Sequence, residues 1–289
     1  MDYTRNMNDR DVRKRVLPPG WYPANEKDTV HVIKNWEKSM EAPGIKSGMA
    51  AVVPHAGWSF SGKLAYKTLR QLYPESKVVI VVGGHMRAGD GIAIADEQYF
   101  ETPFGPMAAA EDFKKRLREL ITVKDDKAVD NTVEVQLPIV RYLFPEAQFL
   151  WLRVGAGEEA IELGRVCAGI AGTLSKKVCM IGSTDLTHYG PNYGFAPKGI
   201  GPEAVKWAQQ ENDEGIIKSM LQMQSEDVLH WGNERKAACS PGAAVAAIEF
   251  AASHGCEEGI LTGYESSYSL HPDSSFVGYA GIVYSNADK

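Results

Sequence analysis

The stretch Gly48-Met-Ala-Ala-Val-Val-Pro-His-Ala-Gly-Trp58 decides the fold. Its apolar run over residues 49–53 ends at Pro54 and is followed by His55 and Gly57. An apolar run closed by proline and glycine is typical of a buried strand that leads into a loop. Open α/β sheets bind ligands outside the carboxyl ends of their strands, so the stretch predicts a core strand that presents His55 to a functional site.

Two further stretches repeat this arrangement. The first is Lys77-Val-Val-Ile-Val-Val-Gly-Gly-His85, and the second is Lys177-Val-Cys-Met-Ile-Gly-Ser-Thr-Asp-Leu-Thr-His188, which also carries Asp185. A single histidine after a strand is more often a hydrogen-bonded structural residue than a ligand. Three strand ends that carry such side chains at one edge of a sheet predict a shared site.

The three apolar runs also predict the architecture. Each run is apolar almost throughout rather than alternating, so the strands at 49–53, 78–82 and 178–181 are expected to be interior neighbours in a mostly parallel sheet. Segments of helical period separate them. The chain has 289 residues, is 44% hydrophobic and shows no long linker. We therefore predict a single α/β domain over residues 1–289, with a central sheet flanked by helices.

Composition excludes several classes of protein. The net charge is −6 and the basic residues are dispersed, which argues against nucleic-acid partners and against binding to an anionic membrane. The first residues lack the apolar stretch of a signal peptide, and no segment has the length of a membrane span. The four cysteines have no CxxC spacing and fit a reducing compartment. We expect a cytoplasmic protein with neither nucleic-acid nor membrane partners.

The side chains at the strand ends are suited to metal binding. Imidazoles bind zinc, copper and iron, and two histidines with one anionic ligand leave positions open for substrate or dioxygen. Asp185 and Cys239 both qualify as the anionic ligand, and spacing does not decide between them. A thiolate favours Cu(I) or zinc, and a carboxylate favours Fe(II). The remaining histidines lie in helical or polar loop segments and are predicted to be structural: His31, His230, His254 and His271.

A set of motifs resembles the MEMO family, which is called AmmeMemoRadiSam system protein B in prokaryotes. The opening Pro19-Gly-Trp-Tyr-Pro23 is similar to the family's start, so the likeness covers nearly the whole chain. In order along the chain, the other motifs are Pro54-His-Ala-Gly57, the strand ending in His85, Val133-Glu-Val-Gln-Leu-Pro138, Ser183-Thr-Asp-Leu-Thr-His-Tyr-Gly190 and Phe276-Val-Gly-Tyr-Ala-Gly281.

The resemblance implies a fold similar to that of the LigB-type class III extradiol dioxygenases, which use non-haem Fe(II). It implies a divalent or redox-active metal held by His55, His85 and Cys239, with Fe(II) favoured and Cu or Zn as alternatives. It also implies that His188 is the acid/base residue, with Asp185 beside it.

Three departures from the family pattern accompany the resemblance. Gly83-Gly84 precede His85, where many relatives carry Gly-Pro-Ser/Asn. Asn131 and Gln136 stand in a segment in which relatives often carry histidines. Ser240-Pro241 follow directly after the late cysteine.

These observations support two main functional hypotheses. The first is a mononuclear metal oxidoreductase that resembles the extradiol dioxygenases. Its small, aromatic or phenolic substrate would lie against Trp58, Phe60, Tyr189 and Tyr193. The alternative is a non-catalytic protein for metal handling or peptide binding, for which the resemblance implies AMMECR-type and radical-SAM partner proteins. A Cys-His hydrolase using Cys239 and His188 is a third hypothesis, but no nucleophile elbow or oxyanion motif supports it.

Overall fold

A computed structural model of the chain describes residues 11–45, 47–174 and 176–286. The two ends of the predicted 1–289 domain, and with them the first residues of the polar N-terminal segment, lie outside the described residues. Among the described residues, no helix combines the length and the apolarity that are needed to cross a bilayer.

The strands form a large central sheet and a small sheet at its side. In chain order they are β1 (Val12–Arg13), β2 (Gly48–Val53), β3 (Val78–Met86), β4 (Ile92–Ile94), β5 (Tyr99–Phe100), β6 (Met107–Ala108), β7 (Lys124–Asp125), β8 (Gln148–Gly155), β9 (Val178–Ser183), β10 (His188–Tyr189), β11 (Gly259–Ser266) and β12 (Phe276–Ser285). The central sheet has the order β10-β12-β2-β9-β3-β8-β4-β7, with β11 paired to β12. The small sheet has the order β1-β5-β6.

The helices connect and cover these strands. In chain order they are α1 (Glu26–Glu37), α2 (Lys63–Leu69), α3 (Glu111–Leu120), α4 (Asn131–Glu134), α5 (Leu137–Leu143), α6 (Glu158–Thr173), α7 (Pro202–Trp207), α8 (Glu214–Leu221), α9 (Ser225–Arg235), α10 (Pro241–Ala252) and α11 (Ser267–Leu270). Two segments of wider π-type winding, Trp58–Gly62 and Ala208–Asp213, precede α2 and α8. Pro138 lies in the first turn of α5, where a proline is tolerated, and α4 ends shortly before it.

The centre of the sheet confirms the predicted α/β class. Strands β2, β9, β3 and β8 pair in parallel, and the three predicted apolar strands are interior neighbours. Antiparallel pairing begins on either side, where β12 joins β2 and β4 joins β8. Because β2, β9 and β3 run in the same direction, their carboxyl ends meet at one edge of the sheet.

Two apolar layers cover the central strands. Ala50 and Val52 belong to the core beneath α6, α8 and α10, whereas Ala51 and Val53 belong to the core beneath α1, α2 and α5. Successive side chains of a strand point to opposite faces, so a strand covered on both faces must be apolar at every position. This double coverage explains the continuous apolar runs.

The alanine-rich helix α10 lies unusually close to the sheet. A side-chain carbon at Gly182 in β9 would collide with the backbone of Ala243, and one at Gly164 in α6 would collide with the Ala246 carbonyl oxygen. Small residues on both sides therefore permit this approach. As a result, the start of α10 reaches the sheet edge at which β2, β3 and β9 end.

The chain immediately after β9 is more regular than its composition suggests. The segment 189–195 is rich in glycine, proline and aromatic residues, which argues against regular structure. In the structure, His188–Tyr189 forms a short strand that pairs antiparallel with the start of β12. The pairing orders the chain immediately after β9 and holds His188 at the same edge of the sheet.

Candidate metal centre

His55 lies two residues beyond the end of β2 and has 1% of its surface exposed. Its backbone N–H donates to Asp185 Oδ1 over 2.7 Å, which ties the loop after β2 to the loop after β9. Two side-chain amides hold the same turn. Asn131 Nδ2 donates to the His55 carbonyl oxygen over 3.1 Å, and Gln136 Nε2 donates to the Pro54 carbonyl oxygen over 2.7 Å. In this chain, Asn131 and Gln136 therefore hold the backbone around His55.

His85 lies near the end of β3 in the left-handed conformation, with φ of 59°, which is uncommon outside glycine. Its backbone N–H donates to Ser240 Oγ over 3.1 Å, and the Gly84 N–H donates to Thr132 Oγ1 over 3.2 Å. A side-chain carbon at Gly83 would collide with Thr132, and one at Gly84 would collide with Ser240. The Gly-Gly pair therefore permits a close approach that fixes the strained backbone of His85.

Cys239 lies just before α10 and is half-buried. Its backbone N–H donates to the Asp185 carbonyl oxygen over 3.2 Å, and the Ser240 N–H donates to Thr184 Oγ1 over 3.0 Å. These bonds hold the cysteine against the loop after β9. A cysteine next to the start of a helix also lies where the helix dipole favours the thiolate.

His55, His85 and Cys239 form a cluster in which the candidate ligand atoms all lie within 4.8 Å of one another. Cys239 Sγ is 3.2 Å from His55 Nε2. The Nδ1 atoms face other partners: that of His55 is 3.4 Å from Ser183 Oγ, and that of His85 is 3.0 Å from Asp130 Oδ2. Each imidazole is therefore oriented through Nδ1, which leaves Nε2 for an ion.

Electrostatics within the cluster favour a thiolate and protonated imidazoles when no ion is bound. Burial lowers the pKa of His55, but the Cys239 thiolate and the Asp185 carboxylate raise it to about 9. Burial likewise opposes the charge on His85, yet Asp130 and Cys239 raise its pKa to about 10. Burial alone would raise the pKa of the Cys239 thiol, but His55 and His85 hold it well below its usual value.

Asp185 and His188 lie beside the cluster. Asp185 Oδ2 is 3.8 Å from His55 Nε2 and 3.7 Å from His188 Nε2. Although burial opposes ionisation, these two imidazoles lower the pKa of Asp185. His188 Nε2 is buried and has no hydrogen-bond partner among the described residues, and the Tyr193 ring lies 4.9 Å from the imidazole. A positioned imidazole of this kind can exchange a proton with a bound molecule.

His55, His85, Asp185 and His188 line a cavity of about 750 Å³, which we call the histidine cavity. Phe60 and Tyr193 contribute aromatic walls. The two other residues predicted as substrate walls lie elsewhere. Tyr189 is fully buried and stacks on Phe276 with ring centroids 5.1 Å apart. Trp58 is 6% exposed and lines a neighbouring cavity. Burial of their large apolar rings explains both corrections.

Asp130 belongs to the site, although no sequence pattern indicated this. Its Oδ1 accepts from the Thr132 N–H over 2.9 Å, and Arg153 Nη1 is 3.6 Å from its Oδ2. Although burial raises the pKa of Asp130, hydrogen bonds from His85 and Thr132 lower it to about 2. The sequence signal at this position was that of a helix N-cap, which indicates where α4 begins but not that the carboxylate orients His85.

His271 lies at the site, although its sequence context did not indicate this. It follows α11 in a polar segment, for which the sequence predicts a structural role. In the structure it lines the histidine cavity, and its ring centroid is 6.3 Å from that of Phe60. Only the return of β12 to the sheet brings this loop over the strand ends, so no local pattern indicated it.

The Asp130 contact leads to a testable expectation for metal binding. Replacing Asp130 with asparagine removes the negative charge that orients His85, and loss of such a partner typically costs 10- to 100-fold in metal affinity. We expect Asp130→Asn to weaken Zn(II) binding by about that factor in a competitive titration with a chromophoric chelator. Asp125→Asn is the matched control, because its carboxylate pairs with Arg118 over 2.8 Å at the surface. Equal affinities of the two variants would contradict the assignment.

Comparison with known proteins identifies the family of this chain. The model of the family described as "Memo-like protein" matches residues 13–283. A MEMO1 family protein of Thermococcus onnurineus is 28% identical, over 94% of this chain and 99% of its own length. A MEMO1 family protein of Methanococcoides burtonii is 29% identical, over 81% of this chain and 86% of its own length.

One solved structure shows a similar fold. It is the crystal structure of the uncharacterized protein JW3007 from Escherichia coli K12, with a TM-score of 0.52, 14% sequence identity, and coverage of 81% of this chain and 99% of that one. At this identity the likeness extends to the fold alone. The family model, in contrast, spans almost the whole chain and confirms the resemblance seen in the motifs. The protein therefore belongs to the Memo-like family.

Proposed function

We propose that this protein is a mononuclear non-haem metal oxidoreductase, similar to the extradiol dioxygenases, that acts on a small phenolic molecule. One observation carries the proposal. The candidate ligand atoms of His55, His85 and Cys239 lie within 4.8 Å of one another, and His188 and Asp185 line the adjoining histidine cavity.

The donor atoms fit a metal with open coordination positions. Two imidazole nitrogens and one thiolate supply three ligands, and catalytic sites typically keep further positions for substrate. Two observations favour Cys239 over Asp185 as the anionic ligand. Cys239 Sγ is 3.2 Å from His55 Nε2, whereas Asp185 Oδ2 is 3.8 Å from the same atom. In addition, Asp185 Oδ1 already accepts the His55 N–H. The resemblance favours Fe(II), whereas the thiolate also suits Cu(I) or zinc.

A bound metal of this kind supplies Lewis-acid and redox chemistry. The protein's own contribution is to hold the substrate and to move a proton. The His188 side chain is 32% exposed and lines the histidine cavity, so its imidazole can accept a proton from a phenolic hydroxyl. Asp185 Oδ2, 3.7 Å away, then stabilises the imidazolium. Phe60 and Tyr193 provide aromatic surface for the substrate ring.

Metal analysis of anaerobically purified protein tests the proposal. We expect one Fe(II) per chain after reconstitution of the wild type, and loss of the metal in His55→Ala, because His55 supplies a ligand from the buried centre of the cluster. His31→Ala is the matched control, since His31 is exposed on α1 and faces Asn35. Circular dichroism checks that both variants are folded. Unchanged metal content in folded His55→Ala would refute the centre.

The thiolate in the cluster favours a second candidate function. Cys239 Sγ, 3.2 Å from His55 Nε2, gives the set a soft donor that suits Cu(I). The protein would then handle metal or bind a peptide without turnover, as an accessory to AMMECR-type and radical-SAM partner proteins. Stoichiometric Cu(I) binding without dioxygen consumption on any phenolic substrate would favour this candidate over the oxidoreductase.

A further inference from the structure

A second cavity of about 820 Å³ lies next to the histidine cavity, and four aromatic residues contribute to its walls. We call it the aromatic cavity. Tyr22 comes from the N-terminal segment, Trp36 from α1, and Trp58 and Phe60 from the turn that precedes α2. Lys63 and Glu265 add polar groups to its lining.

The aromatic walls are held in place by packing and hydrogen bonds. Trp58 Nε1 donates to the Val135 carbonyl oxygen over 3.1 Å, and its ring lies 5.1 Å from that of Trp36. A side-chain carbon at Gly62 would approach both indoles within 2.9 Å, so glycine at this position permits their contact. The cavity is therefore preformed, which favours ligand binding because little ordering is required.

The two cavities adjoin each other. Pro19, Gly20, Ser59 and Phe60 line both of them. Phe60 is 40% exposed, and a side-chain carbon at Gly20 would meet no other atom within 4 Å, so there is free space beside two of the residues at this boundary. The histidine cavity carries the histidines and Asp185, whereas the aromatic cavity is lined mainly by aromatic and aliphatic side chains, together with the charged residues Arg15, Lys63 and Glu265.

We infer that the substrate is amphipathic, with an oxygen-bearing phenolic head in the histidine cavity and a long apolar substituent in the aromatic cavity. The inference rests on the proposed function and adds the substrate class to it. A small phenol would occupy only the histidine cavity and leave the aromatic cavity in contact with water. An apolar substituent covers that surface and gains the free energy of its burial.

Binding of two catechols to the Fe(II)-loaded protein under anaerobic conditions tests the inference. Calorimetry compares catechol with 4-hexylcatechol, which share a chelating head and differ only in the tail. A fully buried methylene contributes about 0.8 kcal/mol, so even partial burial of six predicts an affinity about 10- to 100-fold higher for 4-hexylcatechol.

Two variants locate the tail. Leu270→Asp and Val32→Asp place charge in the lining of the aromatic cavity, outside the histidine cavity. Each variant is expected to reduce the ratio of the affinity for 4-hexylcatechol to the affinity for catechol at least about fivefold, while the affinity for catechol itself stays unchanged. Leu120→Asp is the matched control, because Leu120 lies at the end of α3 and lines neither cavity. Its exposed fraction of 62% is similar to the 51% of Leu270.

The outcomes separate this inference from the proposed function. Equal affinities of the two catechols for the wild type would overturn the inference while the metal centre stands. If both Leu270→Asp and Val32→Asp keep the higher affinity for 4-hexylcatechol than for catechol, the inference is also overturned, because the tail would then lie elsewhere. Failure of the wild type to bind metal, or of the loaded protein to bind either catechol, would overturn the proposed function and this inference with it.

Discussion

Replacing Cys239 with serine is expected to lower the affinity for Cu(I) or Zn(II) by about 100-fold or more, because a hydroxyl is a poor ligand for these ions. Removal of a residue that only orients a metal ligand already costs about 10- to 100-fold in metal affinity, so removal of the ligand itself should cost more. Serine has nearly the size of cysteine, and the backbone hydrogen bond from Cys239 to Asp185 does not involve the thiol. The fold should therefore survive. Competitive titration with a chelator measures the affinity, and thermal unfolding checks stability.

A matched comparison separates ligation from packing. Cys256→Ser makes the same change at a buried cysteine whose pKa is raised to about 11 by burial, and it should leave metal affinity unchanged. Asp185→Asn tests the rival anionic ligand. If Asp185→Asn abolishes binding while Cys239→Ser retains it, Asp185 is the ligand and Cys239 is a packing residue.

Metal binding in the wild type is also expected to depend on pH. Without metal, the pKa values of His55 and His85 are raised to about 9 and about 10, so both imidazoles are protonated at neutral pH. A metal binds only the neutral imidazole, so binding must release these protons. Affinity should therefore rise with pH up to about 9–10 and fall as the pH is lowered. Calorimetry in buffers of different ionisation enthalpy counts the released protons.

The second large effect is expected at His188. His188→Ala should retain the metal, because the imidazole lies outside the three-residue cluster, and should lower turnover about 10²- to 10⁴-fold, the usual contribution of a general acid or base. Anaerobic metal analysis and dioxygen consumption with a phenolic substrate provide the two readouts.

The control for this experiment is His230→Ala, since His230 is exposed on α9 and does not line the histidine cavity. Metal content and turnover should both be unaffected in it. If His188→Ala loses the metal together with activity, His188 is a ligand rather than a proton carrier, and the roles within the site must be reassigned.

The sequence by itself determined the centre of the fold and the histidines at its edge. Continuous apolar runs are local patterns, and a strand covered on both faces must carry them, so β2, β3 and β9 were predictable as interior neighbours. Their shared direction then requires that His55 and His85 lie at the same edge. The ordered motifs were enough to identify the family.

Only the tertiary structure decided which further side chains join them. Cys239 reaches His55 because glycine and alanine let α10 lie close against β9, and Asp130 reaches His85 because α4 begins beside β3. Tyr189 is withdrawn from the cavity because its ring stacks on Phe276 across a strand pair formed with β12. These contacts join residues far apart in the chain, and they depend on packing distances that the local periodicity of a sequence does not encode.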